Sequence, residues 1–196
     1  MSERMLIVNA DDFGASEGVN HGIVEAHTRG IVTSTSLMVT AVAAADAVGL
    51  AREHPSLGIG LHWDLDSKGA GLKVDLSDGA AVRAELARQL RAFHELVGRS
   101  PTHVDSHHHI HRELEVNPIA RELVAPLGVP LRDDGRVTFV GGFYGQWEYG
   151  VTDLHHVRPE FLSWILHNEV GDGWTELGCH PGHVRGDFTS IYLSER

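Results

Sequence analysis

Met5-Leu6-Ile7-Val8-Asn9-Ala10-Asp11-Asp12-Phe13-Gly14 begins as a nearly continuous apolar run and breaks abruptly into two carboxylates. A short run without polar alternation is the pattern of a strand covered on both faces, as in parallel sheets. Two adjacent carboxylates at the carboxyl end of such a strand are costly unless a cation or hydrogen-bond donors receive them, so they suggest a site. A solvated Asp-rich turn, with Gly14 at positive φ, is the plainer alternative for this pair alone. Ser16 then has the chemistry of a helix N-cap, and Val19, Ile23 and Val24 form one apolar face up to Gly30, a C′ residue. The unit is strand, acidic turn, helix.

The unit recurs along the chain. Ile31 to Thr40 is β-branched and hydroxyl-rich, with a strand in its second half; its hydroxyls are expected to satisfy turn backbone more than to line a polar pocket. An alanine-rich helix over Ala43 to Glu53 is stopped by Pro55. Leu57 to Leu61 is a third buried strand, ending in His62-Trp63-Asp64. Asp64 to Gly79, rich in Gly and Asp, reads as a surface loop that rims a pocket. Val82, Leu86, Leu90, Phe93 and Val97 fall at helical spacing, closed by Gly98. Val116, Ile119, Leu123, Val124 and Leu127 make another helix, and Val129 to Leu131 starts a short strand ending in Arg132. The Gly-rich stretch from Gly135 to Asp153 excludes a regular element; its rings (Phe139, Phe143, Tyr144, Trp147, Tyr149) either stack on a sugar face or plug the core edge. Arg158-Pro159 opens a helix with Phe161, Leu162, Ile165 and Leu166 inward. Trp174 to Cys179 is the last strand, followed by His180.

Between the long helix and the next lies Asp105-Ser106-His107-His108-His109-Ile110-His111, denser in metal-ligating side chains than a packing core requires. In a strand-like register His107, His109 and His111 face one way and His108 the other, so the four cannot all ligate one ion. Alternating strands and helices imply a parallel sheet or barrel whose ligands bind at the carboxyl ends of the strands. Asp11, Asp12, His62, His107, Arg132 and His180 each fall just past such an end. One Asp and two His from three strands make a facial set that leaves open positions on a divalent ion, and a second, unligated carboxylate beside it can take a proton from water. The chemistry implied is hydrolysis.

With 196 residues, 42% hydrophobic and 22% charged, the chain fits one ordinary globular domain. The formal charge of −11 argues against a nucleic-acid partner. No apolar run approaches the roughly 20 residues that span a bilayer, and the N-terminus carries no signal-peptide pattern, so a cytoplasmic protein without membrane contact is expected. The single Cys179 excludes an intrachain disulfide and a Cys-rich zinc site; an inert buried thiol is expected.

Asn9-Ala10-Asp11-Asp12-Phe13-Gly14, Gly30-Ile31-Val32-Thr33-Ser34-Thr35, Gly60-Leu61-His62, Pro101 through His111, Phe143-Tyr144-Gly145 and Cys179-His180-Pro181 together resemble the YdjC-like, ChbG-type carbohydrate deacetylases, in family order across nearly the whole chain. The resemblance implies an α/β fold, a distorted, seven-stranded (β/α) barrel of the polysaccharide-deacetylase-like type, in a single domain over 1–196. It implies removal of acetyl groups from N-acetylated sugars such as chito-oligosaccharides. Carried over by position, it puts one divalent metal (Mg or Zn, with other transition metals open) on Asp12, His62 and His107, and the general base on Asp11. It makes His180 the acid or oxyanion partner, puts Arg132 and Tyr144 on the substrate side, and leaves His109 and His111 to orient ligands or touch substrate.

Two departures from the family stand out. The segments after His62 and after Arg132 are short, which trims the loops expected to form the sugar groove. The chain also stops at Ile191-Tyr192-Leu193-Ser194-Glu195-Arg196, where the family continues through further elements. Barrel closure at the C-terminus and oligomeric state are therefore open: the chain is a truncated form or one completed by a partner chain, and a homodimer is one way to cover apolar surface left bare. Two other readings compete: a metal-dependent phosphoesterase, disfavoured by the scarcity of cations near the cluster, and a metal-binding protein or inactive homologue without catalysis.

Overall fold

The structure is a computed structural model and describes residues 3–65, 74–148, 150–186 and 192–196. Much of the expected pocket-rim loop (66–73), Tyr149 and Ile191 lie outside the described residues. Six strands form one sheet: β1 (Arg4–Phe13), β2 (Ser34–Leu37), β3 (Gly58–Trp63), β4 (Val104–Ser106), β5 (Thr138–Val140) and β6 (Gly173–Cys179). Their order is β4-β3-β2-β1-β6-β5, and every pairing is parallel. The intervening helices are α1 (Glu17–Thr28), α2 (Ala44–Glu53), α3 (Gly79–Val97), α4 (Asn117–Val124) and α5 (Pro159–Asn168). Beyond β4, Leu131 makes a single parallel bridge to Val104. The sheet thus has the order of a distorted (β/α) barrel, with a seventh position reduced to one residue.

The helices form where the sequence caps them. Ser16 Oγ accepts from Val19 N at 3.1 Å to start α1, Asp78 caps α3, and Gly98 ends α3 in the left-handed region. Helix-facing residues of the strands (Val8, Ala10, Ile59, Leu61) join Val19, Ile23, Val82, Leu86 and Phe93 in the main core. A smaller cluster of Val140, Ile165 and Leu177 holds α5 on β5 and β6. Between α1 and α5 an apolar groove of about 590 Å³ follows β1 and β6. Among the described residues no helix is long and apolar enough to cross a membrane.

Four local expectations need correction. β1 does not stop at Ala10 but runs through Asp11 and Asp12 to Phe13, because pairing to β2 resumes at Phe13↔Leu37 after a bulge. The stretch 135–153 does contain a strand, β5, made by pairing with β6 rather than by its own propensity. Val129 to Leu131 contributes only the bridge to Val104. The histidine cluster is not a strand: His107–Arg112 is a 3₁₀ turn with His108 and His109 at φ 50° and 55°, so alternation along 107, 109 and 111 does not hold.

Candidate metal centre and active site

The two aspartates share one site because of the β1 bulge. In a regular strand neighbours face opposite ways. Here the register gains one residue between Ala10 and Phe13, and Asp12 takes φ 70°, a left-handed value that Asp tolerates better than most residues. Gly14, at φ 97°, finishes the turn; a Cβ there would meet Met38 O at 3.1 Å. Its N–H donates to Asn20 Oδ1 at 2.6 Å, which ties the turn to α1.

Asp12 Oδ1 lies 3.4 Å from His62 Nε2, at the end of β3, and 3.2 Å from His107 Nδ1, just past β4. These three donor atoms lie within 4.8 Å of one another. The set fits a divalent ion on two grounds. His62 Nδ1 is engaged by Asp105 Oδ1 at 2.7 Å, which leaves Nε2 as the lone-pair nitrogen facing Asp12. Burial disfavours a charged His62 ring, yet Asp105, Asp12 and Asp11 outweigh it and raise its pKa well above the usual value; the carboxylates thus favour a cation here, and a bound ion would take the place of the Nε2 proton. Asp12 behaves correspondingly: burial pushes its carboxyl up, but Arg196, His107 and His62 hold it well below the carboxylate range.

Asp11 stands beside this set; with His62 and Asp105 it forms a second group whose donor atoms also lie within 4.8 Å of one another, but there a guanidinium already occupies its oxygens. Arg132 clamps both its oxygens, Nη1 to Oδ2 and Nη2 to Oδ1, each at 2.8 Å, and Asn9 Nδ2 donates to Oδ1 at 2.8 Å. Burial raises the Asp11 pKa, and the Arg132 guanidinium outweighs it and holds the carboxyl far below its ordinary value. Arg132 is also held by Asp105 at 2.7 Å and by Glu176 at 2.7 and 2.9 Å, with its guanidinium 4.5 Å from the Phe139 ring centre. At 4% exposure, Arg132 has its Nε, Nη1 and Nη2 all engaged by carboxylates. It bridges the seam between the Leu131 position and β6 and fixes Asp11.

His180, one residue past β6, sets Nε2 3.9 Å from Asp11 Oδ2. Its pKa is lowered to about 4, chiefly by burial, so the imidazole is neutral. Its Nδ1 is buried without a hydrogen-bond partner among the described residues. Gly22 lets this segment approach α1, since a Cβ there would lie 2.4 Å from Gly182 Cα. Tyr144 is half-buried, 5.1 Å from the His180 ring and stacked on Tyr192 at 4.5 Å, so it walls the site. His109 and His111 do not join the donor set; burial keeps them neutral, at about 3 and about 4. His111 Nδ1 lies 2.7 Å from Ser106 Oγ, and His109 packs edge-on to Phe139 at 5.4 Å. Cys179 is buried and its thiol is pushed up by burial, in keeping with an inert role.

The sequence reading passed over Ser36, Asp105, Glu176 and Arg196 as site residues. Asp105 is completely buried and accepts from Ser36 Oγ at 3.0 Å as well as from His62 and Arg132. Its spacing of two from His107, on the face of one strand end, is the signal that could have found it. Glu176 was visible as a lone charge inside an apolar strand. Of the β2 hydroxyls, Ser34 donates to Asn9 Oδ1 at 2.7 Å and Thr35 to Ala10 O at 2.6 Å, so they serve both the pocket and the backbone.

The chain is similar to proteins of known name and fold. A chitooligosaccharide deacetylase of Salmonella schwarzengrund is 36% identical over 216 aligned residues, covering 93% of this chain and 83% of that protein. An Enterococcus faecalis crystal structure, described as a candidate cellobiose-phosphate cleavage protein, superposes with a TM-score of 0.76 at 26% identity, covering 100% of this chain and 88% of the other. A family 4 carbohydrate esterase from Streptomyces lividans shares the fold, with a TM-score of 0.55 at 14% identity and coverage of 100% and 85%. The model of the YdjC-like proteins matches residues 5–196, and the chain belongs to that family.

Proposed function

We propose that the protein is a metal-dependent hydrolase that removes acetyl groups from N-acetylated sugars of the chito-oligosaccharide class. The observation that carries this reading is the pairing of an Asp12–His62–His107 donor set with Asp11, a carboxylate held next to it but outside it. The kinship with chitooligosaccharide deacetylases supports the substrate class. Two imidazoles and one carboxylate suit zinc or another transition metal by ligand softness, with magnesium the alternative. Bound there, a divalent cation supplies polarisation of a carbonyl oxygen and lowers the pKa of water.

The chain's own residues do the rest. Asp11, ionised throughout the working pH range, accepts a proton from the attacking water, and the Arg132 clamp keeps its two oxygens aimed. His180, neutral and 3.9 Å from Asp11 Oδ2, would give its ring N–H proton to the departing amine and be resupplied from protonated Asp11, so that the proton taken from water ends on the amine. The Tyr144 and Tyr192 rings form one wall for the sugar, and His107, the most exposed of the three donors, marks the open side.

The test is acetate release from a panel of N-acetylated sugars, monomer to oligomer, by metal-loaded protein beside a chelated control. Chelator-sensitive release is expected. Absence of release from every sugar, with metal bound, would sink the assignment.

A further inference from the structure

We propose that Arg196 is a positioning residue for the metal centre, holding Asp12 so that Oδ1 alone enters the donor set of His62 and His107. The inference rests on the reading of those three residues as a metal site. The two oxygens of Asp12 are already divided: Oδ1 faces both imidazoles, and Oδ2 takes Arg196 Nη2 at 2.5 Å. The bulge aims the Asp12 backbone, but the terminal torsion of a carboxylate is broad and roughly two-fold, so nothing in Asp12 itself distinguishes its oxygens. The guanidinium does.

Arg196 is itself held in place. Its Nε donates to Tyr192 O at 3.2 Å, and its guanidinium lies 5.6 Å from the Tyr192 ring centre. Tyr192 stacks on Tyr144, and its hydroxyl accepts from Gly145 N at 2.9 Å. The neighbouring Glu195 accepts from Gln146 Nε2 at 2.6 Å and Thr152 Oγ1 at 2.5 Å. Residues 192–196 are thereby pinned to the loop that carries Tyr144. The aromatic wall and the orientation of a metal ligand become one unit, and both Asp12 and Arg196 side chains are only 5% exposed.

A rival account makes Arg196 a plain counter-charge for a buried carboxylate. The two differ in sign. A counter-charge repels an incoming cation, so its removal tightens metal binding; loss of a positioning contact weakens it, typically 10–100-fold for groups that orient metal ligands. The experiment titrates the chelated 196-residue chain with Co²⁺, following affinity and the visible absorption of the bound ion, for wild type, Arg196→Met and Arg196→Lys.

Binding by Arg196→Met weakened roughly 10–100-fold, with an altered spectrum, and recovery of both in Arg196→Lys, are expected. Should Arg196→Met not fold, Arg196→Gln takes its place with the same expectation. Unchanged affinity and spectrum, or tighter binding, overturns the positioning role while leaving the metal site standing. Wild-type protein that takes up no Co²⁺ overturns the metal-site reading and this proposal with it.

Discussion

His62 turns its two nitrogens to opposite carboxylates: Nδ1 meets Asp105 Oδ1 at 2.7 Å, and Nε2 faces Asp12. Asp105 is thus the group that selects the tautomer and fixes the ring. Asp105→Asn places an amide where an anion accepted from His62, Ser36 and Arg132. Metal affinity is expected to fall about 10–100-fold, read by competition with a chelating dye. Wild-type affinity in a folded Asp105→Asn protein would remove Asp105 from the account.

The Arg132 clamp makes a stability prediction. Asp11, Asp105 and Glu176 are buried around one guanidinium. Taking away one member of a buried ion pair typically costs about 3–5 kcal/mol, because a charge is left without compensation. Arg132→Met should therefore unfold at markedly lower denaturant concentration than wild type, while Glu176→Gln should be mild. Glu176 is raised to about 7, chiefly by burial, so it is already partly protonated near neutrality. Equal losses from the two substitutions would contradict this ranking.

Stability should also fall on the acid side, with a worked sign. Burial lowers His180 and His111 to about 4 and His109 to about 3, so in the folded protein all three stay neutral where the unfolded chain protonates near 6.5. The unfolded state then binds more protons across that window. The stabilisation is present above about pH 6.5 and is lost as pH falls through the folded values, each group adding a slope of up to about 1.4 kcal/mol per pH unit. His62, whose pKa is raised, opposes this with a contribution lost as pH rises. Melting temperature of chelated protein is expected to drop between pH 6.5 and 4, and less steeply in His111→Asn, whose amide can still reach Ser106. An identical profile in that variant would show that His111 is not among the groups responsible.

Gly22→Ala probes the packing that positions His180. The added methyl meets Gly182 backbone, which cannot swing aside as a flexible side-chain tip would, and His183 N is also tied to Gly18 O at 2.9 Å. A loss of about 1–3 kcal/mol is expected from overpacking, with acetate release falling further than stability alone explains. Calorimetry and turnover on one preparation check it; unaltered turnover would mean that the 180–183 segment tolerates displacement.

What the sequence disclosed depended on how local the cause was. The apolar runs of β1, β3 and β6 announce buried parallel strands because burial on both faces leaves no alternation to misread. Asp12, His62 and His107 were legible as residues at strand ends, and their grouping as a ligand set came from the family resemblance; the structure brings the three together. β5 was not legible: Thr138-Phe139-Val140 sits among glycines and is a strand only because β6 pairs with it. The left-handed turn through His108 and His109 was not legible either, since two successive non-glycine residues rarely take that region and nothing local in the sequence marks it. Arg132 was legible at a strand end, but its three carboxylate partners were not, because they lie far along the chain in sequence. The contact of Arg196 with Asp12 spans 184 residues and leaves no local trace.

The division of labour between Asp11 and Asp12 is the centre of the account, and one paired measurement tests it: metal stoichiometry and acetate release on the same samples of wild type and Asp11→Asn. Both proteins should bind one divalent ion per chain, and Asp11→Asn should lose about 100-fold or more in turnover, as expected for removal of a general base. Acetate release at the wild-type rate, or loss of the ion along with the activity, would contradict it.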